Sequence, residues 1–486
     1  MSDELVITNV DEVYIHIACE DGIAYELREY FTFEVPGFRF TPAYKNRLWD
    51  GKIRIFDLRS HRIYRGLANE IMSFCRQRGY KYEYDERSDE FSLVEAEAFI
   101  KSLNLPIVPR DYQISAFAHA IRNKRSLLVS PTASGKSLII YLILRYLHDS
   151  KITNKSLVVV PTTSLVSQLA GDFATYGFDS DSNVHTITAG KDKSSDKPIT
   201  ISTWQSIYKM DKSYFRVYDT VVGDECHLFK ANSLKDIMTG LTKAHHRIGT
   251  TGTLDGTKTH KLVLEGLFGP VNKVTTTKIL MDQKHVADFR IKCLVLKHPP
   301  EKCKALRKAT YQEELNYIVM SDARNRFIKN LTLSLEGNTL ILYQFVDKHG
   351  RILLDSFKDE FKTRKVFFVH GGVSGNDRED IRAIVEKETN AIIVASYGTF
   401  STGINIKQLN NIIFASPSKS RIRNLQSIGR GLRVSETKTE ATLFDIADDL
   451  RVGKKENYTL KHFMERLRIY SDEKFRFKIY QIQLKG

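Results

Sequence analysis

The feature that most limits how this chain can fold is a series of short apolar runs separated by helical stretches. Beyond Arg110 the runs are SLLVS, SLVVVP, PITIST, TVVGDE and HHRIGTTG, and the rhythm returns in TLILYQF, KVFFVHG, AIIVASY, NIIFASP and ATLFDIAD. Such runs are typical of strands buried on both faces of a parallel sheet covered by helices. The sequence therefore predicts an α/β protein with two tandem, doubly wound parallel-sheet lobes.

The first hundred residues have a different pattern. Strand-like EVYIHIA and IRIFDL precede helix-like GLANEIMSFCRQRGY, whose apolar residues recur at helical spacing. The two prolines of SLNLPIVPRDY then indicate a linker. The two lobes join near TTTKILMDQKHVADF. We expect a small α+β module at 1–105, a first lobe at 106–280, a second lobe at 281–450 and a basic helical tail at 451–486.

Composition narrows the class of protein. None of the apolar runs in the 486 residues approaches the ~18 residues of a membrane span, and the five scattered cysteines favour neither disulfides nor a zinc knuckle. We therefore expect a cytoplasmic protein. The net charge is +15, yet residues 1–105 hold 14 basic against 19 acidic residues.

Basic residues are concentrated in two places. The segment 39–65 has eight basic residues against two acidic ones, and 451–486 has ten against four. Such excess attracts phosphate backbones, although a charged segment is also often just a solvated face.

The segment SPTASGKS, Ser130 to Ser137, lies between a predicted strand and an apolar helix. A small-residue loop entering a helix can hold phosphates on its backbone N–H groups, with a lysine on the β/γ oxygens and a serine hydroxyl on Mg²⁺. Ser130 replaces the first glycine of the usual pattern. The candidate ATP-binding residues are Thr132, Ala133, Ser134, Gly135, Lys136 and Ser137.

About 90 residues later, TVVGDECH (Thr220 to His227) ends an apolar strand in paired acids. This pattern predicts a carboxylate that positions Mg²⁺, Asp224, and one that polarises the attacking water, Glu225. A surface acidic pair that merely caps a strand is the alternative interpretation.

Gly-Lys-Ser followed by Asp-Glu-Cys-His resembles the superfamily 2 helicases, and further motifs of that family follow in order. The resemblance implies RecA-like lobes. RDYQ resembles the adenine-reading segment, with Arg110 and Gln113. TTGT resembles the element that couples hydrolysis to lobe motion. The coupling residues implied are Thr251 and Thr253 of this segment, together with His227 of Asp-Glu-Cys-His. QSIGRGLR supplies Gln426 and two arginines that would act across the cleft, Arg433 as the finger on the γ-phosphate and Arg430 beside it.

Other matching segments imply contacts with the nucleic-acid backbone. PTTSLVSQ, ISTWQS and VASYGTFSTGIN carry the residues concerned. These are Thr162, Thr163, Thr203, Trp204, Gln205, Thr399 and Thr402.

The segment GFRFTPAYKNRLWDGKIRIFD and the terminal YSDEKF are similar to the phage UvsW-type recombination helicases, over nearly the whole chain. That resemblance implies an ATP- and Mg²⁺-dependent DNA helicase that regresses forks, migrates Holliday junctions and unwinds DNA in recombination, repair and replication. It suggests 3′ to 5′ movement. We expect branched, forked or duplex DNA as the substrate, a monomer, and single-stranded DNA-binding or recombination proteins as partners.

RLWDGKIRIF, Arg47 to Phe56, is a candidate DNA contact within the module. Asp50-Gly51 is a turn signal, and the alternation after it places Lys52 and Arg54 on one face. With Arg47 and Trp49 these residues offer phosphate contacts and a stacking surface. A structural turn with solvated arginines is the competing interpretation.

Three other functions stay open at this point. An RNA helicase and a double-stranded DNA translocase subunit of a restriction-type system would use the same motifs. An ATP-gated clamp that holds DNA without translocating is the third, although the TTGT segment and the paired arginines argue against it.

Overall fold

The computed structural model describes residues 4–35, 37–85, 90–188, 192–228, 232–254, 258–399, 406, 408–417, 429 and 440–484. The chain divides into two compact units, one of residues 1–130 and 135–274 and the other of residues 131–134 and 275–486. The first unit contains the N-terminal module together with the first lobe, and the second contains the second lobe and the tail. Within the described residues, no helix combines the length and hydropathy that crossing a membrane requires.

The N-terminal module is built on a four-stranded sheet of order β5-β2-β1-β6, beside a two-stranded sheet of β3 and β4. Its elements are β1 (Glu4–Asn9), β2 (Tyr14–Ala18), α1 (Asp21–Tyr30), β3 (Thr32–Glu34), α2 (Pro42–Lys45), β4 (Lys52–Arg54), β5 (Arg62–Tyr64), α3 (Ala68–Arg78) and β6 (Lys81–Glu83). Alternate residues of β1 and β2 are buried, such as Leu5, Ile7, Ile15 and Ile17. The predicted α+β module is confirmed, with the predicted helix shortened to α3.

The first lobe is a seven-stranded sheet of order β13-β7-β12-β11-β8-β10-β9, and every described pair in it is parallel. Its elements are α4 (Leu93–Ser102), α5 (Asp111–Asn123), β7 (Arg125–Val129), α6 (Lys136–Asp149), β8 (Ser156–Val160), α7 (Thr163–Thr175), α8 (Ser180–Asn183), β9 (Val184–Ile187), β10 (Ile199–Thr203), α9 (Trp204–Ile207), α10 (Lys212–Phe215), β11 (Thr220–Gly223), α11 (Asn232–Gly240), β12 (His246–Thr251), α12 (Lys258–Phe268) and β13 (Val271–Lys273).

Two hydrophobic clusters cover the two faces of this sheet. One contains the buried residues of α5, α6 and α7, and the other continues without a break into the core of the N-terminal module. Because strands such as β8 are buried along their whole length, their sequences carry no polar alternation. The module and the first lobe therefore share one core.

The second lobe is also a seven-stranded sheet, of order β16-β17-β15-β18-β19-β14-β20, with every described pair parallel. Its elements are α13 (Thr277–Asp282), β14 (Asp288–Lys297), α14 (Pro300–Ala305), α15 (Tyr311–Met320), α16 (Asp322–Leu333), β15 (Thr339–Tyr343), α17 (Arg351–Ser356), β16 (Val366–Val369), α18 (Gly375–Val385), β17 (Ile392–Ser396), β18 (Asn411–Phe414), β19 (Glu440–Asp449), α19 (Tyr458–Asp472) and β20 (Arg476–Gln483). The prediction of two tandem parallel lobes is confirmed.

The tail contains the predicted helix, α19, and one element beyond it. After α19 the chain forms β20, which pairs in parallel with β14. Both strands begin with alternating charged and apolar residues, such as Arg290, Lys292 and Arg476, rather than with an apolar run. Sequence periodicity therefore did not separate these strands from surface segments.

Candidate nucleotide and nucleic-acid site

Neighbouring strands of the first sheet bring the candidate motifs to one edge. Val129, at the end of β7, lies opposite Thr251 of β12, and Gly223, at the end of β11, lies opposite Gly249 of β12. The phosphate-loop segment follows β7 and the paired acids follow β11. Because all these strands are parallel, their carboxyl ends form one crevice, where doubly wound sheets bind ligands.

The phosphate-loop segment has the backbone that its sequence requires. Gly135 has φ +78°, and a Cβ there would clash with Nε2 of Gln113. Helix α6 begins at the next residue, Lys136, whose Nζ donates to the Ser130 carbonyl at 3.3 Å. Ser130 is buried in the sheet and its N–H donates to the Thr251 carbonyl at 2.9 Å. The residue that departs from the usual pattern is therefore part of the strand end.

The remaining loop residues give a tight turn. Ser134 Oγ donates to the Pro131 carbonyl at 2.7 Å, and Ala133 has a positive φ of 69°. Thr132 lies between Pro131 and Ala133 and is partly exposed. The backbone of Thr132, Ala133 and Ser134 thus leads directly into the amino terminus of α6.

The paired acids face the loop lysine. Glu225 Oε1 lies 3.7 Å from Lys136 Nζ, and its other oxygen lies 3.3 Å from His227 Nδ1. Asp224 Oδ1 accepts a 2.6 Å hydrogen bond from Thr250 Oγ1. The two carboxylates therefore have different partners, as separate roles would require.

The electrostatics of the pair are asymmetric. Burial raises the pKa of Asp224 above its usual range, and the adjacent Glu225 charge adds to this effect. Burial acts in the same direction on Glu225, but the Lys136 ammonium and the His227 hydrogen bond outweigh it and lower the Glu225 pKa to about 2. At neutral pH Glu225 is therefore ionised.

A chain of polar contacts runs from Glu225 into the TTGT segment. His227 Nδ1 and Thr251 Oγ1 lie 3.0 Å apart, and Thr251 Oγ1 also contacts the Thr253 backbone. Thr251 is the last residue of β12. The three predicted coupling residues are thus connected in series to Glu225.

The predicted adenine-reading residues lie at the start of α5. Gln113 is buried, its Oε1 accepts from the Arg110 N–H at 2.8 Å, and its Nε2 faces the Gly135 carbonyl at 3.5 Å. The Arg110 guanidinium donates to the Tyr112 hydroxyl at 2.9 Å. Both residues lie beside the phosphate loop, and their base-reading role stays a prediction.

The predicted backbone contacts of the first lobe lie farther along the same edge. Thr162 and Thr163 follow β8, and Thr203 ends β10, which is paired with β8. Gln205 Nε2 donates to the Pro161 carbonyl at 3.3 Å, and Trp204 opens α9. These residues form one group, separated from the phosphate loop by β11 and β12.

In the second lobe only part of the predicted set can be placed. Thr399 is buried, and its Oγ1 accepts from Ser396 Oγ at 2.8 Å, just after β17. Thr402, Gln426, Arg430 and Arg433 lie outside the described residues.

The candidate DNA contact of the module is divided between two places. Arg47 and Trp49 line an open groove of about 590 Å³ with Arg39, Tyr44, Lys45, Leu48 and Asp50. Lys52 and Arg54 lie instead in β4, which pairs with β3, and the Arg54 guanidinium forms an ion pair with Asp50. We name the first set the module groove.

The turn at RLWDGKIRIF has a structural role as well. Trp49 Nε1 donates to the Lys52 carbonyl at 2.9 Å, and Gly51 takes a left-handed φ of 81°. The strand after this turn pairs with β3, across the loop that contains α2, so the segment is not a two-residue hairpin.

Two site residues were not recognised from the sequence. Thr250 donates to Asp224, and the Tyr176 hydroxyl lies 2.9 Å from the Ser137 hydroxyl. Thr250 lies in the TTGT segment, directly before Thr251. Tyr176 lies in no recognised motif, and helix packing alone brings it to Ser137.

The geometry fits a magnesium nucleotide. Gly135 takes a left-handed φ directly before α6, Lys136 supplies a cation at the start of α6, and Ser137 and Asp224 supply oxygen donors of the type Mg²⁺ prefers. Two parallel lobes, of which the first carries this site, define a superfamily 2 helicase.

The comparisons with known proteins agree with that class and narrow it. Family descriptions match three parts of the chain: "DNA helicase UvsW, N-terminal" at residues 5–85, "Type III restriction enzyme, res subunit" at 106–256 and "Helicase conserved C-terminal domain" at 322–435. The "ATP-dependent DNA helicase uvsW" of Enterobacteria phage T4 is 35% identical over 98% of both chains. The chain belongs to the UvsW family of phage DNA helicases.

Two further comparisons are consistent with membership of this family. The crystal structure of T4 UvsW covers 99% of this chain and is itself covered completely, with 33% identity and a TM-score of 0.53. The "DNA 3'-5' translocase XPB2" of Sulfurisphaera tokodaii is 24% identical, over 72% of this chain and 85% of the relative.

Proposed function

We propose that this protein is an ATP-dependent DNA helicase that remodels branched DNA, by fork regression, Holliday-junction branch migration and unwinding, in recombination, repair and replication. The full-length similarity to the T4 helicase supports this function. The single structural observation that carries it is the contact of Lys136 with Glu225 beside a separately bonded Asp224.

In this proposal the residues of the crevice divide the work of ATP hydrolysis. Lys136 holds the β/γ-phosphate oxygens, Ser137 and Asp224 hold Mg²⁺, and ionised Glu225 orients and polarises the attacking water. When bound, Mg²⁺ would neutralise phosphate charge. Arg433 as the finger, with Arg430 and Gln426 beside it, remains a prediction.

We further propose that His227, Thr251 and Thr253 transmit the state of the site. They form a continuous chain from Glu225 to the end of β12. In this proposal a change at Glu225 alters the hydrogen bonding of the TTGT segment through His227 and Thr251.

DNA contacts are proposed at three places. In the first lobe they are Thr162, Thr163, Thr203, Trp204 and Gln205, and in the second Thr399 and Thr402. In the module we assign the main contact to the module groove, whose three basic residues lie beside Tyr44 and Trp49. Arg54 should contribute less, because Asp50 already neutralises it.

The wider proposals follow from family membership. We propose a division at 1–105, 106–280, 281–450 and 451–486, action as a monomer in the host cytoplasm, and partnership with single-stranded DNA-binding or recombination proteins. The name of the Sulfurisphaera relative supports 3′ to 5′ movement.

The catalytic assignment is tested with Lys136→Ala and Glu225→Gln. Each variant should lose at least about 100-fold of the DNA-stimulated ATP turnover, because each removes a group that acts on the reacting phosphate. Fork binding without nucleotide should persist. Exposed Lys243→Ala is the matched control. Normal turnover in either active-site variant would contradict the assigned roles.

The substrate is tested with labelled forks, four-way junctions, linear duplexes and RNA duplexes. We expect ATP hydrolysis to drive processing of forks and junctions. Stimulation by RNA alone would favour an RNA helicase, and stimulation by linear duplex alone a translocase subunit. Processing supported by a non-hydrolysable ATP analogue would favour a clamp.

The module groove is tested by the salt dependence of junction binding. Replacing Arg39, Lys45 and Arg47 with alanine should reduce the slope of log K against log salt by up to about 2.7, since each phosphate contact contributes about 0.9. The comparison variant replaces Lys52 and Arg54. A larger decrease of the salt slope in the comparison variant would show that the main DNA contact lies on β4 and not in the module groove.

A further inference from the structure

A tyrosine outside every helicase motif is bonded to the residue assigned to magnesium. The hydroxyl oxygens of Tyr176 and Ser137 lie 2.9 Å apart, although the residues are 39 positions apart in sequence. Tyr176 immediately follows α7, and Ser137 lies in the first turn of α6. The bond therefore joins the metal-binding turn to a second helix.

We propose that Tyr176 is a positioning residue that orients the Ser137 hydroxyl for Mg²⁺ and connects it, through α7, to the DNA contact at Thr162 and Thr163. The inference rests on the proposed function, in which Ser137 holds the metal.

The tyrosine is itself held firmly. Its ring lies 5.3 Å from the ring of Tyr141, and Tyr141 in turn packs against Phe173 and Phe178. Its backbone N–H donates to the carbonyls of Asp172 and Phe173, both at 3.1 Å. A phenolic hydroxyl, with an ordinary pKa near 10, carries its proton at physiological pH. A fixed, protonated hydroxyl can impose a direction on a rotatable one.

A serine hydroxyl has one proton and two lone pairs. If Tyr176 donates to one lone pair, the other remains for Mg²⁺ and the serine proton remains for a phosphate oxygen. Without the tyrosine hydroxyl, the serine rotor has to be ordered when the metal binds. The cost should appear in metal affinity and not in nucleotide affinity without metal.

Helix α7 links this bond to the proposed DNA contact. Its 13 residues span about 20 Å. Thr162 caps its amino terminus by accepting from the Leu165 N–H, while Val166, Leu169 and Phe173 are buried against the lobe. A rigid helix shifts as a unit, so a displacement at Thr162 also reaches Tyr176. DNA binding should therefore change the Mg²⁺ affinity.

The test measures binding of a fluorescent ADP analogue by the full chain while Mg²⁺ is titrated. Tyr176→Phe should raise the Mg²⁺ concentration for half-saturation by about two- to tenfold, the range expected for one hydrogen bond. Binding in EDTA should not change. An oligonucleotide should lower the half-saturating Mg²⁺ concentration for the wild type but not for Tyr176→Phe.

Three controls separate the possible failures. Tyr141→Phe removes a neighbouring hydroxyl from the same aromatic cluster and should keep the wild-type Mg²⁺ dependence. Ser137→Ala should abolish the Mg²⁺ effect on binding, and the double variant should match Ser137→Ala alone. Thermal unfolding of each variant checks folding.

The outcomes distinguish the two proposals. A normal Mg²⁺ effect in Ser137→Ala would overturn the metal role of Ser137 and, with it, this inference. A strong effect of Ser137→Ala with no effect of Tyr176→Phe, or an additive double variant, would overturn the role of Tyr176 alone. A full oligonucleotide effect in Tyr176→Phe would overturn the link through α7.

Discussion

Glu225 and Gly135 both adopt left-handed backbone conformations, with φ values of 49° and 78°. A glycine accepts this conformation without cost, whereas a residue with a Cβ is strained there by about 1–2 kcal/mol. Such strain is found at functional sites, where the surrounding structure fixes it. At Glu225 the fixing contacts are Lys136 and His227.

Gly135→Ala should weaken nucleotide binding at least about tenfold and destabilise the first lobe by at least about 1 kcal/mol. The reasons are the positive φ and the clash with the Gln113 side chain. Nucleotide titration and urea unfolding measure the two effects. The matched control is Gly171→Ala, within α7 and with open space around it, which should be neutral or slightly stabilising. Wild-type affinity in Gly135→Ala would contradict the tight fit.

His349 makes the second lobe sensitive to acid. Its ring nitrogens lie 2.8 Å from Ser416 Oγ and 3.2 Å from Asn325 Oδ1. Burial, together with the nearby Arg324 charge, lowers its pKa to about 3, with Asp448 opposing the shift. The folded state therefore keeps this histidine neutral, while the unfolded chain protonates it below pH ~6.5.

Between pH 6.5 and 3 the unfolded state binds one more proton at His349, so stability falls as the pH falls and is constant above that range. Chemical denaturation at pH 7.5 and pH 5 should show a loss of about 2 kcal/mol from this residue. His349→Asn should lose less stability over the same interval. An equal pH dependence in both proteins would show that another group is responsible.

Among the elements, the tail shows how a surface-like sequence becomes part of a lobe. Arg466 of α19 donates to both oxygens of Asp445 in β19, and Tyr470 Oη donates to the same carboxylate at 2.8 Å. All three side chains are buried. The helix is therefore bound to the sheet by a charged pair within the core.

Arg466→Met should destabilise the second lobe by about 3–5 kcal/mol, because it leaves the Asp445 charge buried without its cation. Arg468→Met, at an exposed position of the same helix, is the matched control and should change stability by less than about 0.5 kcal/mol. Urea unfolding of both variants provides the comparison. Similar stabilities would mean that the tail packs by apolar contacts alone.

The same elements show how far the sequence could predict the fold. Central strands such as β8 and β17 were predictable because burial on both faces produces apolar runs. Strands β14 and β20 carry charged residues and were missed. Their pairing depends on segments far along the chain, which local periodicity does not contain.

Within the site, spacing predicted the residues that follow β7 and β11, because parallel strands place their ends together. It could not predict Tyr176, whose bond to Ser137 depends on helix packing. Residue spacing also could not predict that RLWDGKIRIF is divided between a groove and a strand. That division includes the ion pair between Asp50 and Arg54, which only the structure shows.

At the scale of the whole first unit, Glu12 forms a polar connection between the N-terminal module and the first lobe. It accepts from Arg65 at 2.8 Å, forms an ion pair with Arg125 at the start of β7, and lies 3.0 Å from His245. Burial would raise the pKa of Glu12, but these three charges outweigh it and lower the pKa. The contribution of Glu12 to stability is therefore present above pH ~4.5 and lost as the pH falls further.

Glu12→Gln should destabilise the first unit by about 2–4 kcal/mol, since it leaves the buried Arg125 without its carboxylate. Glu4→Gln, exposed on the same sheet, is the control and should be close to neutral. Denaturation curves at pH 7 give the comparison. Equal stability in the two variants would mean that the shared apolar core alone holds the module.

The order of the second sheet has a consequence for synthesis of the protein. Strand β14 lies between β19 and β20. Asp288 pairs with Glu440 and Arg290 pairs with Arg476, so β14 cannot pair until those later residues have been synthesised. At about 5–20 residues per second, the ribosome needs many seconds to supply those partners. The first unit can fold during that time, since its strands come from residues 4–273. We therefore expect a nascent chain to acquire a nucleotide crevice well before it can complete the second sheet.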